Sequence, residues 1–223
     1  MIQTATTDEL TGLLTRKAFR ESFAAALNEA RLPDAERPLT LGFIDVDNFL
    51  NINQDYGHSA GDEVLAAVAQ TLRQVIAPVD LPGRYGGDEF AVLLVGKERE
   101  QAFLLMEKLR LTISQEPFTT IKGKVIHGLT ISAGIAAFPM DGRTEAELLR
   151  KADQALYRAK EAGRNQVRLA YDEKMVPKTA HFTQTQLERL SHLAEAHKTN
   201  EADLLREAVD DLLTKYGVND IES

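Results

Sequence analysis

Apolar residues recur every three to four positions in four long segments of the chain. This spacing puts them on one face of a helix. It predicts helices from the Thr11-Gly12 turn to about Ala30, from Ser59 to Ile76, from Glu98 to Ser114 and from Thr144 to Ala162. Gly163 directly follows the last of these helices and is expected to end it.

Shorter and continuously apolar segments, which are typical of buried strands, lie between these helices. Five such strands are predicted: Leu39–Val46, Phe90–Val95, Phe118–Ile121, Val125–Phe138 and Asn165–Ala170. The order of the elements predicts an α+β fold, with an antiparallel-rich sheet covered on one side by helices. Residues from Asn48 to Asp62 are polar and are expected to form a connection.

The segment from Arg84 to Phe90 carries a Gly86-Gly87 pair followed by Asp88 and Glu89. Two glycines between strand-like segments predict a tight hairpin turn, because only glycine takes positive φ without a steric penalty. The turn would let a ligand come close to the backbone, within reach of both carboxylates. A solvated hairpin tip is the alternative that this motif alone leaves open.

Other polar residues fall near the ends of predicted elements. Asp45 and Asp47 close a central strand, where ligand-binding carboxylates are common, although either could cap a turn. Asn53 could cap a loop and Asp62 could cap a helix. Lys160 and Arg164, one helical turn apart, could bind phosphates or could simply be a solvated helix end.

Taken in order, four motifs in the sequence resemble the GGDEF-domain diguanylate cyclases, which condense two GTP molecules into cyclic di-GMP. The resemblance covers about residues 6 to 170 and rests on Asp8–Leu13, Phe43–Asp62, Arg84–Phe90 and Lys160–Asn165. It implies the ferredoxin-like, palm-type fold of nucleotidyl cyclases.

The resemblance also implies roles for individual residues. Magnesium, with manganese as an alternative, would be held by Asp45, the Val46 carbonyl, Asp88 and Glu89. Asp88 would be the general base. GTP would be bound through three groups of residues: Asn53, His58 and Asp62 at guanine; Lys160 and Arg164 at the β- and γ-phosphates; and the backbone near Asn48, Phe49, Leu50, Gly86 and Gly87.

Three positions depart from the family pattern. Leu50 stands where the family usually has a lysine that stabilises transition-state charge, so a catalytically inactive GTP-binding module is an alternative function. Ala77 replaces the arginine of the R-x-x-D product-inhibition motif, while Asp80 keeps its aspartate. Thr15 replaces the usual asparagine.

Composition narrows the range of function classes. With 43% apolar and 27% charged residues, the chain of 223 residues is typical of a globular protein. No apolar run is long enough to span a membrane, and the first residues lack the features of a signal peptide. A net charge of -8 argues against general affinity for nucleic acid or anionic lipid. The absence of cysteine excludes disulfides and fits a cytoplasmic protein.

The sequence predicts a catalytic domain over residues 1–171, a linker over 172–177, a dimerisation module over 178–217 and a tail over 218–223. The module, a strand from Lys178 to Thr183 and two helices, is similar to ribbon-helix-helix dimers. It is too small to bury a core alone, which predicts a homodimer. DNA binding is the alternative, but six Lys/Arg against ten Asp/Glu in residues 173–223 disfavour it.

Overall fold

A computed structural model of the protein describes residues 6–32, 38–115, 117–170, 180–197 and 201–216. The chain divides into two compact units, Met1–Glu173 and Lys174–Ser223. No helix in the described ranges is long and apolar enough to cross a membrane.

The first unit contains a six-stranded mixed sheet. Its strands are β1 (Leu14–Thr15), β2 (Leu39–Val46), β3 (Leu81–Arg84), β4 (Glu89–Val95), β7 (Ile131–Phe138) and β8 (Val167–Leu169). They lie side by side in the order β1-β3-β4-β2-β7-β8. β2 pairs antiparallel with β4 and β7, whereas the two outer pairs, β1 with β3 and β7 with β8, are parallel. The predicted α+β fold with an antiparallel-rich sheet is confirmed.

Helices cover both faces of this sheet, so the prediction of helices on one side only was wrong. The helices of the first unit are α1 (Arg16–Ala30), α2 (Phe49–Tyr56), α3 (His58–Val75), α4 (Arg99–Ser114) and α5 (Glu145–Glu161). Side chains of α3 and α4 share one core cluster with one face of the central strands, and those of α1 and α5 share a second cluster with the other face. Every residue of β2 is buried, because a central strand between two helical layers has no solvated face.

Two segments differ from their predicted structure. The connection from Asn48 to Asp62 contains α2, whose apolar Phe49, Ile52 and Tyr56 lie at helical spacing and contact the core. The predicted strand Val125–Phe138 is two strands, β6 (Val125–Ile126) and β7, separated by a bend in which Gly128 has a φ of 70°. β6 pairs with β5 (Phe118–Thr119) in a separate two-stranded sheet.

The second unit contains two helices, α6 (Gln184–His197) and α7 (Glu201–Lys215), which contact each other. A capping box begins α6: the Thr183 N–H donates to Gln186 Oε1 at 2.9 Å and the Gln186 N–H donates to Thr183 Oγ1 at 3.3 Å. Of the predicted strand Lys178–Thr183, the first two residues lie outside the described ranges. Residues 180–183 form no strand in this single chain. A strand whose only partner belongs to a second chain is not expected to form in a single chain.

Candidate active site

The edge of the sheet where β2 ends and β4 begins gathers the acidic residues. Asp45 stands directly opposite Glu89 in the β2–β4 register, which puts their side chains on the same face of the sheet. The Val46 N–H donates to the Asp88 carbonyl at 3.2 Å. The hairpin that carries Asp88 and Glu89 is therefore fixed to the end of the strand that carries Asp45.

The glycines of this hairpin act differently from the prediction. Its loop is closed by N–H groups of Tyr85 and Gly86, which donate to the Glu89 carbonyl at 2.8 and 3.1 Å. Neither Gly86 nor Gly87 has a left-handed φ, so the expectation of positive φ was wrong. A Cβ on Gly86 would instead collide with the Glu89 carboxylate, whereas a Cβ on Gly87 would point into open space. Gly86 makes room for the acid, and Gly87 leaves the backbone accessible to a ligand.

Asp45 is the most electrostatically perturbed acid at this edge. Its side chain is only 9% exposed, and Oδ2 lies 2.8 Å from the Lys160 ammonium at the end of α5. Burial raises the pKa of Asp45 to about 6; the Lys160 ammonium opposes this rise, and the nearby carboxylates of Asp88 and Asp47 add to it. A buried site with excess negative charge favours binding of a cation.

The residues predicted to bind guanine meet where α2 ends and α3 begins. Gly57 joins the two helices with a φ of 89°. A Cβ on Gly61 would collide with Oδ1 of Asn53, so Asn53 packs directly against the first turns of α3. His58 and Asp62 are exposed, and their side chains make no hydrogen bond to any described residue. Asp62 lies inside α3, not at its cap, which excludes the capping alternative.

Two other predicted ligand-binding positions lie on the surface. Leu50, in the first turn of α2, is 68% exposed. It follows Asn48, which has a φ of 55°, and Phe49, where α2 begins. The first N–H groups of a helix have no acceptor within it and are free to bind an anion. Arg164 is exposed just beyond α5 and has a φ of 62°.

Arg84 supports the hairpin, and the sequence analysis missed it. Its guanidinium donates to the Gly87 carbonyl at 2.8 Å through one nitrogen and reaches the Asp8 carboxylate at 3.3 Å through another. The ring of Tyr85 packs edge-on against Phe43, with 4.9 Å between the centroids. The one signal for this role in the sequence is that Arg84 stands two residues before the glycine pair. Its partner Asp8 lies 76 residues away in the chain, so the ion pair could not be predicted.

Asp47 is a structural anchor between distant parts of the chain, and its hydrogen bonds are not those of the turn cap that was its alternative role. It is 3% exposed and accepts hydrogen bonds from the hydroxyls of Thr130 and Ser132, each at 2.8 Å. Its Oδ2 also accepts the Asn165 N–H at 3.0 Å. With its oxygens engaged in this way, Asp47 is committed to joining β2 to the loop after α5.

This acidic hairpin beside a buried aspartate is matched by comparison with known proteins. The family described as "Diguanylate cyclase, GGDEF domain" matches residues 5–166. The chain belongs to this family.

Curated relatives share the GGDEF domain but are longer. The chain is 37% identical over 166 residues to the response regulator PleD of Caulobacter vibrioides, covering 74% of this chain and 36% of that protein. It is 43% identical over 168 residues to diguanylate cyclase DgcP of Pseudomonas aeruginosa, covering 75% and 24%. The chain therefore spans about a third or less of the length of these relatives.

Solved GGDEF structures show the same fold. The GGDEF domain of DgcB from Caulobacter crescentus in complex with c-di-GMP superposes with a TM-score of 0.70 at 32% identity, covering 76% of this chain and 98% of that one. The active GGEEF domain of a diguanylate cyclase from Vibrio cholerae gives a TM-score of 0.65 at 34% identity, covering 72% and 99%. The predicted palm-type nucleotidyl cyclase fold is confirmed.

GGDEF diguanylate cyclases generally use divalent metal ions, and the donor chemistry at this edge fits such an ion. Among the described residues, no three acidic or histidine side chains converge closely enough to hold a metal by themselves. Mg²⁺ is commonly held by one or two carboxylates together with substrate phosphates and water. Asp45 opposite Glu89 provides such a pair. Burial, with a smaller contribution from the Asp88 and Asp47 carboxylates, raises the pKa of Asp45, and a bound cation would stabilise its charged form.

Asp80, the remaining residue of the product-inhibition motif, has structural partners. Its side chain is fully buried, and its two oxygens lie 2.8 and 2.9 Å from the Lys97 ammonium. The N–H groups of Ala77 and Val95 also donate to it, at 2.8 and 3.0 Å. These contacts join the turn before β3 to the end of β4.

Proposed function

We propose that this GGDEF domain is an active diguanylate cyclase, which converts two GTP molecules into cyclic di-GMP and two pyrophosphates. The observation that carries the proposal is the acidic edge, where Asp45 lies opposite Glu89 and the backbone of Asp88 is bonded to Val46. A module that only bound GTP would not need an acidic hairpin fixed to a buried aspartate.

The reaction needs a proton acceptor and charge neutralisation. The 3′-oxygen of one GTP attacks the α-phosphorus of the other, the bond to pyrophosphate breaks, and a second such attack closes the ring. We assign Asp88 to accept the proton of the attacking hydroxyl and Glu89 to act with it. Asp45, the Val46 carbonyl, Asp88 and Glu89 would hold Mg²⁺ or Mn²⁺, which neutralises the triphosphate and lowers the pKa of the hydroxyl.

Substrate binding would use the residues around this edge. Asp62 can accept hydrogen bonds from the guanine N1–H and N2–H₂, with Asn53 and His58 beside it. Lys160 and Arg164 would contact the β- and γ-phosphates, an assignment supported by the ammonium of Lys160 at the acidic edge. Backbone N–H groups at Phe49 and Leu50 would complete the phosphate site, and the backbone of Gly86 and Gly87 would let the substrate come close to the hairpin.

The reaction requires two sites facing each other, so the enzyme would act as a dimer of half-sites. We propose that residues 178–217 form a ribbon-helix-helix-like homodimer. Its support is a set of large side chains on α6, on α7 and directly after α7 that are 41% to 70% exposed in the single chain: Leu187, Leu193, Val209, Leu212, Leu213 and Tyr216. DNA binding stays the weaker alternative, because the acidic excess in residues 173–223 provides no long-range attraction. A cytoplasmic location stays a prediction from the cysteine-free composition.

We also propose that the enzyme lacks the usual product-feedback site. The motif has alanine at position 77, and its aspartate, Asp80, is already bonded to Lys97 and to two backbone N–H groups. A carboxylate with these partners has little capacity left for a ligand.

Turnover of GTP tests the activity. Purified protein with GTP and Mg²⁺ should form cyclic di-GMP, and Asp88→Ala and Glu89→Ala should each lower the rate by about 10²–10⁴-fold, the range expected for loss of general base catalysis. The rate of Leu50→Lys, compared with wild type, would show how much activity the usual lysine adds. A wild-type protein that binds GTP without product, even as Leu50→Lys, would favour the inactive GTP-binding module.

A further inference from the structure

The loop that follows α5 has an unusual backbone. Gly163, Arg164 and Asn165 have φ values of 109°, 62° and 48°, so two non-glycine residues in a row are left-handed. Non-glycine residues keep this conformation when the surrounding structure fixes it. The Arg164 N–H donates to the Ala159 carbonyl at 3.0 Å, and this bond alone fixes only the start of the loop.

Six residues hold the other side of the loop, and we call them the Asp47 network: Asp47, Glu107, Arg110, Thr130, Ser132 and Asn165. Asn165 is its centre, since its N–H donates to Asp47 Oδ2 at 3.0 Å and its Oδ1 accepts from Arg110 at 2.8 Å. Glu107 in turn holds the Arg110 guanidinium through two hydrogen bonds of 2.9 and 2.8 Å.

The network lies beside the residues that would bind the triphosphate. Asp47 is two residues beyond Asp45, and Asn165 directly follows Arg164. The end of α5 is therefore joined to the end of β2 twice, by Lys160 with Asp45 at 2.8 Å and by Asn165 with Asp47. These two connections fix the distance between the acidic edge and the two cations.

We propose that Asp47 and Arg110 are positioning residues for the reaction. They hold Asn165, and through it they place Arg164 and Lys160 to receive the β- and γ-phosphates of GTP. This inference rests on the proposed function, because it assumes a nucleoside triphosphate at the acidic edge. Arg110 lies on α4 and has no role in the site itself, so sequence motifs alone would not assign it one.

The variants follow from the contacts. Arg110→Met removes the guanidinium that holds Asn165, and Asn165→Gly removes the side chain while allowing the left-handed backbone. Lys108→Met is the matched control, because it removes a cation from an exposed position of α4 and leaves the hydrogen bond from Arg110 to Asn165 in place. Binding is measured with Mg²⁺ and 3′-deoxy-GTP, which cannot act as the nucleophile, and with GMP, which lacks the β- and γ-phosphates.

We expect Arg110→Met and Asn165→Gly to weaken binding of 3′-deoxy-GTP by about tenfold, because a displaced cation loses a charge-assisted hydrogen bond to phosphate. GMP binding should stay within twofold in both variants, and Lys108→Met should stay within twofold for both ligands. In an Arg164→Met background, Arg110→Met should add little, because the two substitutions act on the same contact.

Two results would overturn the proposal. The first is 3′-deoxy-GTP affinity within twofold of wild type in both Arg110→Met and Asn165→Gly. The second is an equal loss of affinity for GMP, which would reveal general damage to the fold. A wild-type protein that binds 3′-deoxy-GTP but makes no cyclic di-GMP from GTP would refute the cyclase assignment alone, and the affinity ratios would still decide the role of the network.

Discussion

At the scale of single residues, the site contains a buried carboxyl group, that of Asp45, whose burial favours the neutral form. The pKa of Asp45 is raised to about 6, chiefly by burial and despite the Lys160 ammonium. Between pH 4 and pH 6 the folded state therefore holds a proton that the unfolded state has lost, and stability falls as the pH rises through this range. Above pH 6, burial of the charged Asp45 lowers the free energy of unfolding.

Asp45→Asn should relieve this cost and abolish turnover. We expect the variant to be more stable than wild type by about 1–3 kcal/mol at pH 8, since a shift of one pKa unit corresponds to about 1.4 kcal/mol and Lys160 loses its partner. The advantage should shrink toward pH 4.5, where wild-type Asp45 is protonated. Urea unfolding at both pH values checks this, and an Asn variant less stable than wild type at pH 8 would contradict it.

Asp62 should decide which base is bound. Asp62 is exposed in the free protein, and a bound base would cover its carboxylate. Guanine offers two hydrogens to it, whereas adenine has an unprotonated N1 in that place, which leaves the covered carboxylate unpaired at a cost of about 1–3 kcal/mol. GTP should be preferred over ATP by about tenfold or more in kcat/KM. Asp62→Asn should reduce this preference. Comparable turnover of the two nucleotides by wild type would show that Asp62 does not face the base.

At the scale of elements, the hairpin depends on contacts from outside its own sequence. Arg84 joins the Gly87 carbonyl to Asp8, so the chain before α1 and the loop between β3 and β4 form one connected structure. β1 adds to this connection by pairing in parallel with β3. The position of Asp88 and Glu89 is thus set partly by residues far upstream.

Arg84→Met should lower kcat by about 10–100-fold with little change in melting temperature, because a small misplacement of catalytic groups is costly. The control is Asp8→Asn, which weakens the ion pair but keeps the Arg84 bonds to Gly87 and an acceptor for the Thr11 N–H. This control should lose no more than a few-fold in kcat. Equal losses of kcat in the two variants would show that the ion pair with the N-terminal turn matters, and not the bond from Arg84 to the hairpin.

The elements themselves were largely predictable from the sequence, and their long-range contacts were not. The apolar run of β2 and the stripe of Phe19, Phe23 and Leu27 in α1 identify a strand and a helix from local pattern. Asn165 accepts a hydrogen bond from Arg110, which lies 55 residues away, and donates one to Asp47, which lies 118 residues away. Polar bonds of this kind depend on the completed fold, so one sequence gives no signal for them. The need for glycine at position 86 could not be predicted either, because it arises from the Glu89 carboxylate, with which a Cβ there would collide.

At the scale of the whole molecule, the second unit would determine how two catalytic domains meet. If α6 and α7 dimerise, they tether two GGDEF domains, and the effective concentration on a short tether is about millimolar. An encounter between separate molecules then becomes an event within one dimer. The catalytic unit alone would need a high concentration to reach the same rate.

Ending the chain at Tyr171 should therefore leave a folded, mostly monomeric domain that still binds GTP. Its specific activity should fall at nanomolar protein concentration and recover as the concentration rises, while that of the full chain stays nearly constant. Sedimentation and turnover over a dilution series measure both quantities. A truncated protein that stays dimeric, or keeps its activity on dilution, would place dimerisation in the catalytic domain.

The contacts of Asp80 have a consequence for any attempt to engineer a product-feedback site into this protein. An Ala77→Arg change would restore the R-x-x-D sequence of the feedback motif. Asp80 would still be bonded to Lys97 and to the backbone N–H groups of residues 77 and 95. Replacing Lys97 would leave the buried carboxylate without its counter-ion, and the loss of one partner of a buried ion pair destabilises a protein by about 3–5 kcal/mol. Each single step back thus yields either no benefit or a weaker fold. If the feedback site is absent, as we propose, restoring it would need changes at more than one position.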